Sequence, residues 1–167
     1  MTWFKPIARN LLQAVHFLHT NNFAHQDIHV GNIFIAFAKD ELLPSEKNEA
    51  INFKLGDFGI AKFFHEISAE NTLAGWMLPP EILDPYEFGT VDHRIDIYHI
   101  GLLFLQLALS SRLEFTYDEI LNGEPRKIAE SLKSAHGDLI AKMLRRHVEH
   151  RAASVLEVWN ELKIIEL

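Results

Sequence analysis

The sequence predicts an α+β fold that is mostly α-helical, on three observations: helical apolar spacing near its start, two strand-like runs around a charged loop, and an almost wholly apolar run in its second half. Its 167 residues, 48% hydrophobic and 23% charged, suffice for one globular domain with a buried core. The formal charge of −7 leaves no basic footprint, so nucleic acid is not an expected partner. Cysteine is absent, which excludes disulfides and thiolate metal sites. The longest apolar stretch, 100–109, falls short of the roughly 18 residues that cross a bilayer. No basic-then-apolar leader opens the chain. A soluble protein without a membrane partner is expected, compatible with a reducing cytoplasm.

Each element follows from a local pattern. Residues 6–20 place Ile7, Leu11, Leu12, Val15 and Leu18 at helical spacing, with Pro6 tolerated in the first turn, and Asn21 and Asn22 end the helix. Residues 32–37 and 51–58 read as strands. The second alternates Ile51, Phe53 and Leu55 with Asn52, Lys54 and Gly56, and the two are expected to pair as a hairpin. Between them AKDELLPSEKNEA is charged and holds Pro44, the mark of a solvated loop longer than a tight turn needs. From Gly59 to Gly75 no period is visible, and an extended segment without regular structure is expected.

Within 91–109 the run IDIYHIGLLFLQLAL is apolar nearly all round, as in a helix buried on most faces. Thr116 with Glu119 and Ser154 with Glu157 form S/T-x-x-E pairs, each able to cap a helix start by reciprocal hydrogen bonds. Helices are expected over about 117–122 and 154–165, with one or two more between 127 and 147. Gly123 and Gly137 read as helix stops. Trp3, Phe4, Trp76 and Trp159 read as core or contact aromatics.

Chemistry concentrates in AHQDIHVGNIFIAF, residues 24–37. Asp27 and Asn32 lie five apart in a loop entering a strand, and Asp57 in LGDFG closes the partner strand. Together they would bring oxygen-bearing side chains to one end of the hairpin, a place for Mg²⁺ and a phosphate. Mg²⁺ takes a few hard oxygen ligands and keeps several waters, which suits Asp and Asn better than His. Any one of these residues is also a common turn former. The ten histidines raise a metal-site reading, with His16 and His19 one helical turn apart and His25 and His29 following. Zinc needs three or four converging ligands, however, and a solvated helix face accounts for the first pair.

These residues resemble the protein kinase family. His25-Gln26-Asp27 followed by Asn32 is similar to its catalytic loop, Asp57-Phe58-Gly59 to its magnesium motif, and Pro79-Pro80-Glu81 to the end of its activation segment. Asp96-x-Tyr98-x-x-Gly101 resembles its central helix, and Arg151 its late arginine. The resemblance spans essentially the whole chain and implies residues 1–167 as a protein-kinase-like C-terminal lobe, with a small β-hairpin at the catalytic loop.

By that resemblance Asp27 would accept or orient a substrate hydroxyl, and His29 would be the cation beside it. Asp57 and Asn32 would hold Mg²⁺ and with it ATP. His25 would support the loop through backbone contacts. Glu81 and Arg151 would form a buried ion pair, and Asp96 would fasten the catalytic loop by accepting backbone N–H bonds. The implied function is a Ser/Thr protein kinase acting on a protein substrate.

Departures from the family accompany these matches. His29 stands where a lysine is usual, and the resulting D-x-H-x-x-N pattern resembles small-molecule phosphotransferases, which generally lack the PPE, Asp96 and Arg151 features. Gln26 replaces the arginine that clamps a phosphorylated loop, so switching by loop phosphorylation is not expected. LAGWML lacks a clean Gly-Thr pair, with Thr72 the nearest threonine. Nothing matches G-x-G-x-x-G or V-A-I-K, so an N-terminal lobe, or a partner chain in its place, is expected to be missing from this chain. The alternative expectation is a catalytically weak or inactive kinase-like binding scaffold.

Overall fold

The computed structural model describes residues 4–39, 49–70 and 78–165. Trp3, Thr72, Trp76, most of LAGWML and the Pro44 loop lie outside the described residues.

Helix α1 (Phe4–Thr20) buries Phe4, Ala8, Leu11, Leu12 and Val15 on one face. Asn22, at φ 60°, ends it in the left-handed region that Asn tolerates better than most residues. A two-residue strand β1 (Phe23–Ala24) follows. The predicted hairpin is present as β2 (Ile33–Lys39) and β3 (Glu49–Leu55), antiparallel from Ile33↔Leu55 to Lys39↔Glu49. Its second strand stops at Leu55 rather than Phe58. The Gly56 N–H makes a last bond to the Asn32 carbonyl at 2.9 Å, and Asp57 then turns to φ 59°, which no extended strand adopts.

The segment after Gly59 is more regular than its sequence suggests. Strand β4 (Lys62–Phe63) pairs with β1, Phe23 facing Phe63, and a 3₁₀ turn covers Phe64–Glu66. The PPE stretch itself opens the first of two short helices, α2 (Pro80–Leu83) and α3 (Pro85–Phe88). Each has Pro in its first turn, where the missing N–H costs nothing. Asp84 caps α3 by accepting the Glu87 N–H at 3.1 Å. None of these elements is long enough to show a period.

Helix α4 (Ile95–Leu109) is buried continuously from Ile95 to Leu105 and forms the hub of the core. It begins four residues after the start of the predicted run. Asp92 accepts the Arg94 N–H at 2.8 Å in a turn, and Val91 joins a small second cluster with Ile95, Ile60, Ile67, Leu78 and Ile82. The remaining helices are α5 (Tyr117–Leu121), α6 (Glu124–Ser131), α7 (Ala135–Met143) and α8 (Val155–Ile165). The main core joins α1 and α4 to α7 and α8. Phe4 lies in this core, and Trp159 packs against it half-buried.

The Thr116/Glu119 box forms with both its bonds. The second box forms by half: the Ser154 hydroxyl accepts the Glu157 N–H at 3.2 Å, while the Glu157 carboxylate takes the Ala153 N–H and the Lys142 ammonium instead. Gly123, at φ 73°, separates α5 from α6 as a stop should. Gly137 is no stop. It lies inside α7, and a Cβ there would sit 2.6 Å from the Ala129 carbonyl oxygen, so its role is to let α6 and α7 approach. Among the described residues no helix is long and apolar enough to cross a membrane.

Candidate active site

The loop from His25 to Asn32 is suspended from Asp96, a carboxylate buried in the first turn of α4. Asp96 Oδ2 accepts the His25 N–H at 2.9 Å, and Oδ1 accepts the Gln26 N–H at 2.7 Å. His19 Nε2–H also donates to Oδ2, at 2.8 Å. Burial pushes the Asp96 pKa up, but the His19 bond and charge and the two backbone donors outweigh it and hold the group below its ordinary value. It is therefore an anion with its lone pairs directed at the loop. His19 is thus not on a solvated face, as the sequence suggested. Its side chain is nearly covered, and its partner lies 77 residues away, beyond the reach of helical spacing.

Two further bonds tie the loop to the Asp57 turn. His25 Nδ1 accepts the Asp27 N–H at 3.3 Å, which leaves its proton on Nε2 to donate to the Gly56 carbonyl at 3.0 Å. Gln26, at φ 67°, donates its side-chain amide to the Ile60 carbonyl at 2.8 Å. A left-handed Gln is strained, and such strain persists only where the surroundings over-determine it.

On this scaffold Asn32 donates through Nδ2 to the Asp27 carbonyl at 2.9 Å and to Asp27 Oδ2 at 3.1 Å. With its nitrogen committed to Asp27, the Asn32 Oδ1 is turned the other way as a hard ligand atom. Asp57 follows the last hairpin bond, between the Gly56 N–H and the Asn32 carbonyl, so the fold sets Asp57 beside Asn32. One Asp57 oxygen accepts the Gly59 N–H at 3.2 Å in a turn of its own. Asn32 and Asp57 present an amide oxygen and a carboxylate, the donor set that suits Mg²⁺.

His29 Nδ1 accepts the Gly31 N–H at 3.1 Å, capping the 3₁₀ turn Val30–Asn32. Its Nε2 therefore carries the proton in the neutral ring and faces Asp27 Oδ1 at 3.6 Å, close but beyond direct hydrogen-bond length. The four predicted site residues thus meet at one end of the hairpin: Asp27 beside Asn32 and His29, and Asp57 one step past the rung that Asn32 shares. The arrangement can orient a hydroxyl at Asp27 and hold a hard cation nearby.

Behind the site, Arg151 and Glu81 form a two-pronged pair at 2.7 and 2.8 Å, with both side chains 0% exposed. The guanidinium also donates to the carbonyls of Arg94, Arg145 and Arg146, at 3.1, 3.1 and 3.2 Å. It lies 4.9 Å from the centre of the Tyr98 ring. Burial opposes its charge, and Glu81 outweighs burial and holds the Arg151 pKa above its ordinary value. Sequence reading missed His99, which lies below Asp27. A histidine inside the apolar run of α4 was the available signal.

Residues 2–161 match the protein kinase domain family. The chain is 28% identical over 152 residues to the serine/threonine-protein kinase polo of Drosophila melanogaster, covering 86% of this chain and 24% of that one. It is 30% identical over 149 residues to the probable serine/threonine-protein kinase zyg-1 of Caenorhabditis briggsae, covering 87% and 18%. It is 29% identical over 142 residues to an Aurora kinase of Candida glabrata, covering 80% and 35%. The chain therefore spans about a third or less of the length of these relatives. The crystal structure of the Rad53 kinase domain and SCD2 superposes with a TM-score of 0.65 at 19% identity, over 98% of this chain and 56% of that one, which establishes a shared fold.

Proposed function

This chain belongs to the protein kinase domain family, and from that premise we propose that it is the C-terminal lobe of a Ser/Thr protein kinase, transferring the γ-phosphate of ATP to a protein hydroxyl. The observation that carries the proposal is the junction of Asp27, Asn32 and Asp57, with Asn32 bonded to Asp27 and sharing the hairpin's last rung beside Asp57. The family generally uses ATP with Mg²⁺. Here Asn32 Oδ1 and the Asp57 carboxylate would hold the ion, which when bound neutralises charge on the phosphates.

Asp27 receives a hydrogen bond from the attacking hydroxyl and directs its oxygen, accepting the proton as the hydroxyl is consumed. Asn32 fixes the Asp27 carboxylate while it does so. His29, with Nε2–H towards Asp27, supplies a donor next to the reacting oxygens. The Gly-rich loop and strand lysine of the family would come from an N-terminal lobe or a partner chain.

The test is calorimetric titration of the chain with ATP and Mg²⁺ beside Asp57→Ala, followed by a transfer assay with the family's N-terminal lobe supplied. Saturable, magnesium-dependent binding lost in the variant, with transfer lost in Asp27→Ala, is expected. A complete two-lobed form that phosphorylates neither itself nor a generic protein refutes the reading.

One observation favours a second reading, a binding scaffold. Phe34, Ile35, Phe37 and Phe58 are 55%, 60%, 70% and 51% exposed around the hairpin. That apolar surface suits a covering lobe or a partner protein equally. Transfer that depends on Asp27 decides between the two.

A further inference from the structure

His99 is a buried imidazole in the apolar helix α4, with 7% of its surface exposed. Its Nδ1 is sealed from solvent and has no hydrogen-bond partner. Burial, the largest influence on it, lowers its pKa and so favours the neutral ring. A proton on Nδ1 would leave a buried N–H unpaired, a state rarer in folded proteins than an under-used buried acceptor. The proton accordingly belongs on Nε2, and that N–H needs an acceptor.

The ring borders a recess between α4 and the catalytic loop, lined by Asp27, Ile28 and His29 on one side and by Leu102, Leu103 and Gln106 on the other. The recess admits the centre of a water molecule over about 10 Å³, the space of a single water. Its lining is apolar at Ile28, Leu102 and Leu103. Gln106 donates its amide nitrogen to the Leu113 carbonyl at 3.3 Å, and His29 turns an N–H towards Asp27. The anionic acceptor bordering the recess is Asp27.

We infer that His99 is a positioning residue for Asp27, acting through one water held in this recess: His99 Nε2–H donates to the water, and the water donates to the Asp27 carboxylate. Asn32 holds that carboxylate from the side of Oδ2, at 3.1 Å, and the bridging water holds it from below. Two anchors stop the carboxylate from rotating away from an incoming hydroxyl. The inference rests on the reading of Asp27 as the hydroxyl-orienting group. Its structural half can be tested without turnover.

The experiment uses the full chain labelled with ¹⁵N and ¹³C. The expected spectrum shows the Nε2–H tautomer at His99 and a long-lived water that cross-relaxes with the ring protons. His99→Leu removes the water signal and shifts the Asp27 ¹³Cγ resonance, while His99→Gln, which keeps an N–H donor, restores that resonance. In a transfer-competent form His99→Leu lowers kcat about tenfold, the effect of one lost hydrogen bond, and leaves KM for ATP within about twofold. His99→Gln recovers most of the rate.

A proton on Nδ1, no long-lived water in the unsubstituted chain, an Asp27 resonance unmoved by His99→Leu, or an unchanged kcat overturns the inference. If His99→Leu does not fold, the tautomer and the water signal of the unsubstituted chain decide it. If that chain transfers no phosphate in any form, the kinase reading falls, while the spectra still decide whether the water bridge exists.

Discussion

Glu81→Gln should be the most damaging conservative substitution away from the candidate site. It keeps the shape of the side chain, removes the charge facing Arg151, and places an amide N–H₂ against a guanidinium. Both partners are 0% exposed, so water cannot replace the lost carboxylate. Removing one partner of a buried pair costs about 3 to 5 kcal/mol. For a chain of this length each kcal/mol lowers Tm by about 2 to 4 °C, so a fall of about 6 to 20 °C is expected. Arg151→Met should cost more. It breaks the same pair and also strands the carbonyls of Arg94, Arg145 and Arg146, to which the guanidinium donates. For that reason the apolar double replacement Glu81→Leu with Arg151→Met, often neutral for a buried pair, should not restore stability here. Urea unfolding followed by circular dichroism measures all three. A cost below about 1 kcal/mol for Glu81→Gln, the range of an exposed pair, or an Arg151→Met variant more stable than Glu81→Gln, refutes the reasoning.

Gly137→Ala should destabilise the chain by about 1 to 3 kcal/mol, because its Cβ would lie 2.6 Å from the Ala129 carbonyl oxygen and force α6 from α7; thermal unfolding reads it. Thr116→Ala should cost about 1 kcal/mol in the same assay by removing the cap of α5. Asp96→Ala should speed hydrogen exchange at the His25 and Gln26 amides, whose acceptor it removes, and should abolish transfer with them. Stability should also fall as pH drops through about 6.5. Burial lowers the pKa of both His93 and His99, with the His19 charge adding to it at His93, so the unfolded chain binds protons at pH values where the fold still refuses them. The urea midpoint should thus be higher at pH 7.5 than at pH 5.5, and His99→Leu should flatten the difference. A midpoint equal at both pH values contradicts this, since the lowered Asp92 and Asp96 withdraw their contribution only near pH 4 and below.

What the sequence made legible tracks the length over which a pattern repeats. Helices α1 and α4 run for 17 and 15 residues, enough turns for apolar spacing to declare itself. The hairpin showed through the alternation of Ile51, Phe53 and Leu55, although its end was misplaced because a left-handed Asp57 leaves no mark in composition. Strands β1 and β4 have two residues each, and α2 and α3 four, too few for any period. Their existence depends on partners distant in sequence, such as Phe63 opposite Phe23. The same holds at the site. Asp27, Asn32 and Asp57 were legible because their spacing about one hairpin places them. His19 was not, since its bond to Asp96 joins the end of one helix to the start of another.

That bond is part of what fixes Asp96, the group that holds the catalytic loop. Asp96 gathers donors from His19 on α1 and from the backbone of His25 and Gln26, while its own helix is packed into the core along its first three turns. The loop is therefore positioned from α4 and α1 as well as from the Asp57 turn at the end of the hairpin. The positive φ of Gln26 fits this account. A left-handed residue of this kind costs on the order of 1 to 3 kcal/mol, and a loop held only by its own turns would relax it away. Here the Gln26 N–H is fixed to Asp96 and its side chain to the Ile60 carbonyl, so relaxing the strain would break a buried and a part-buried hydrogen bond. Asp27, the next residue, takes its direction from that strained neighbour. The backbone that carries the proposed catalytic carboxylate is thus held by a helix that contributes no ligand atom to the reaction, while Asn32 holds the carboxylate itself.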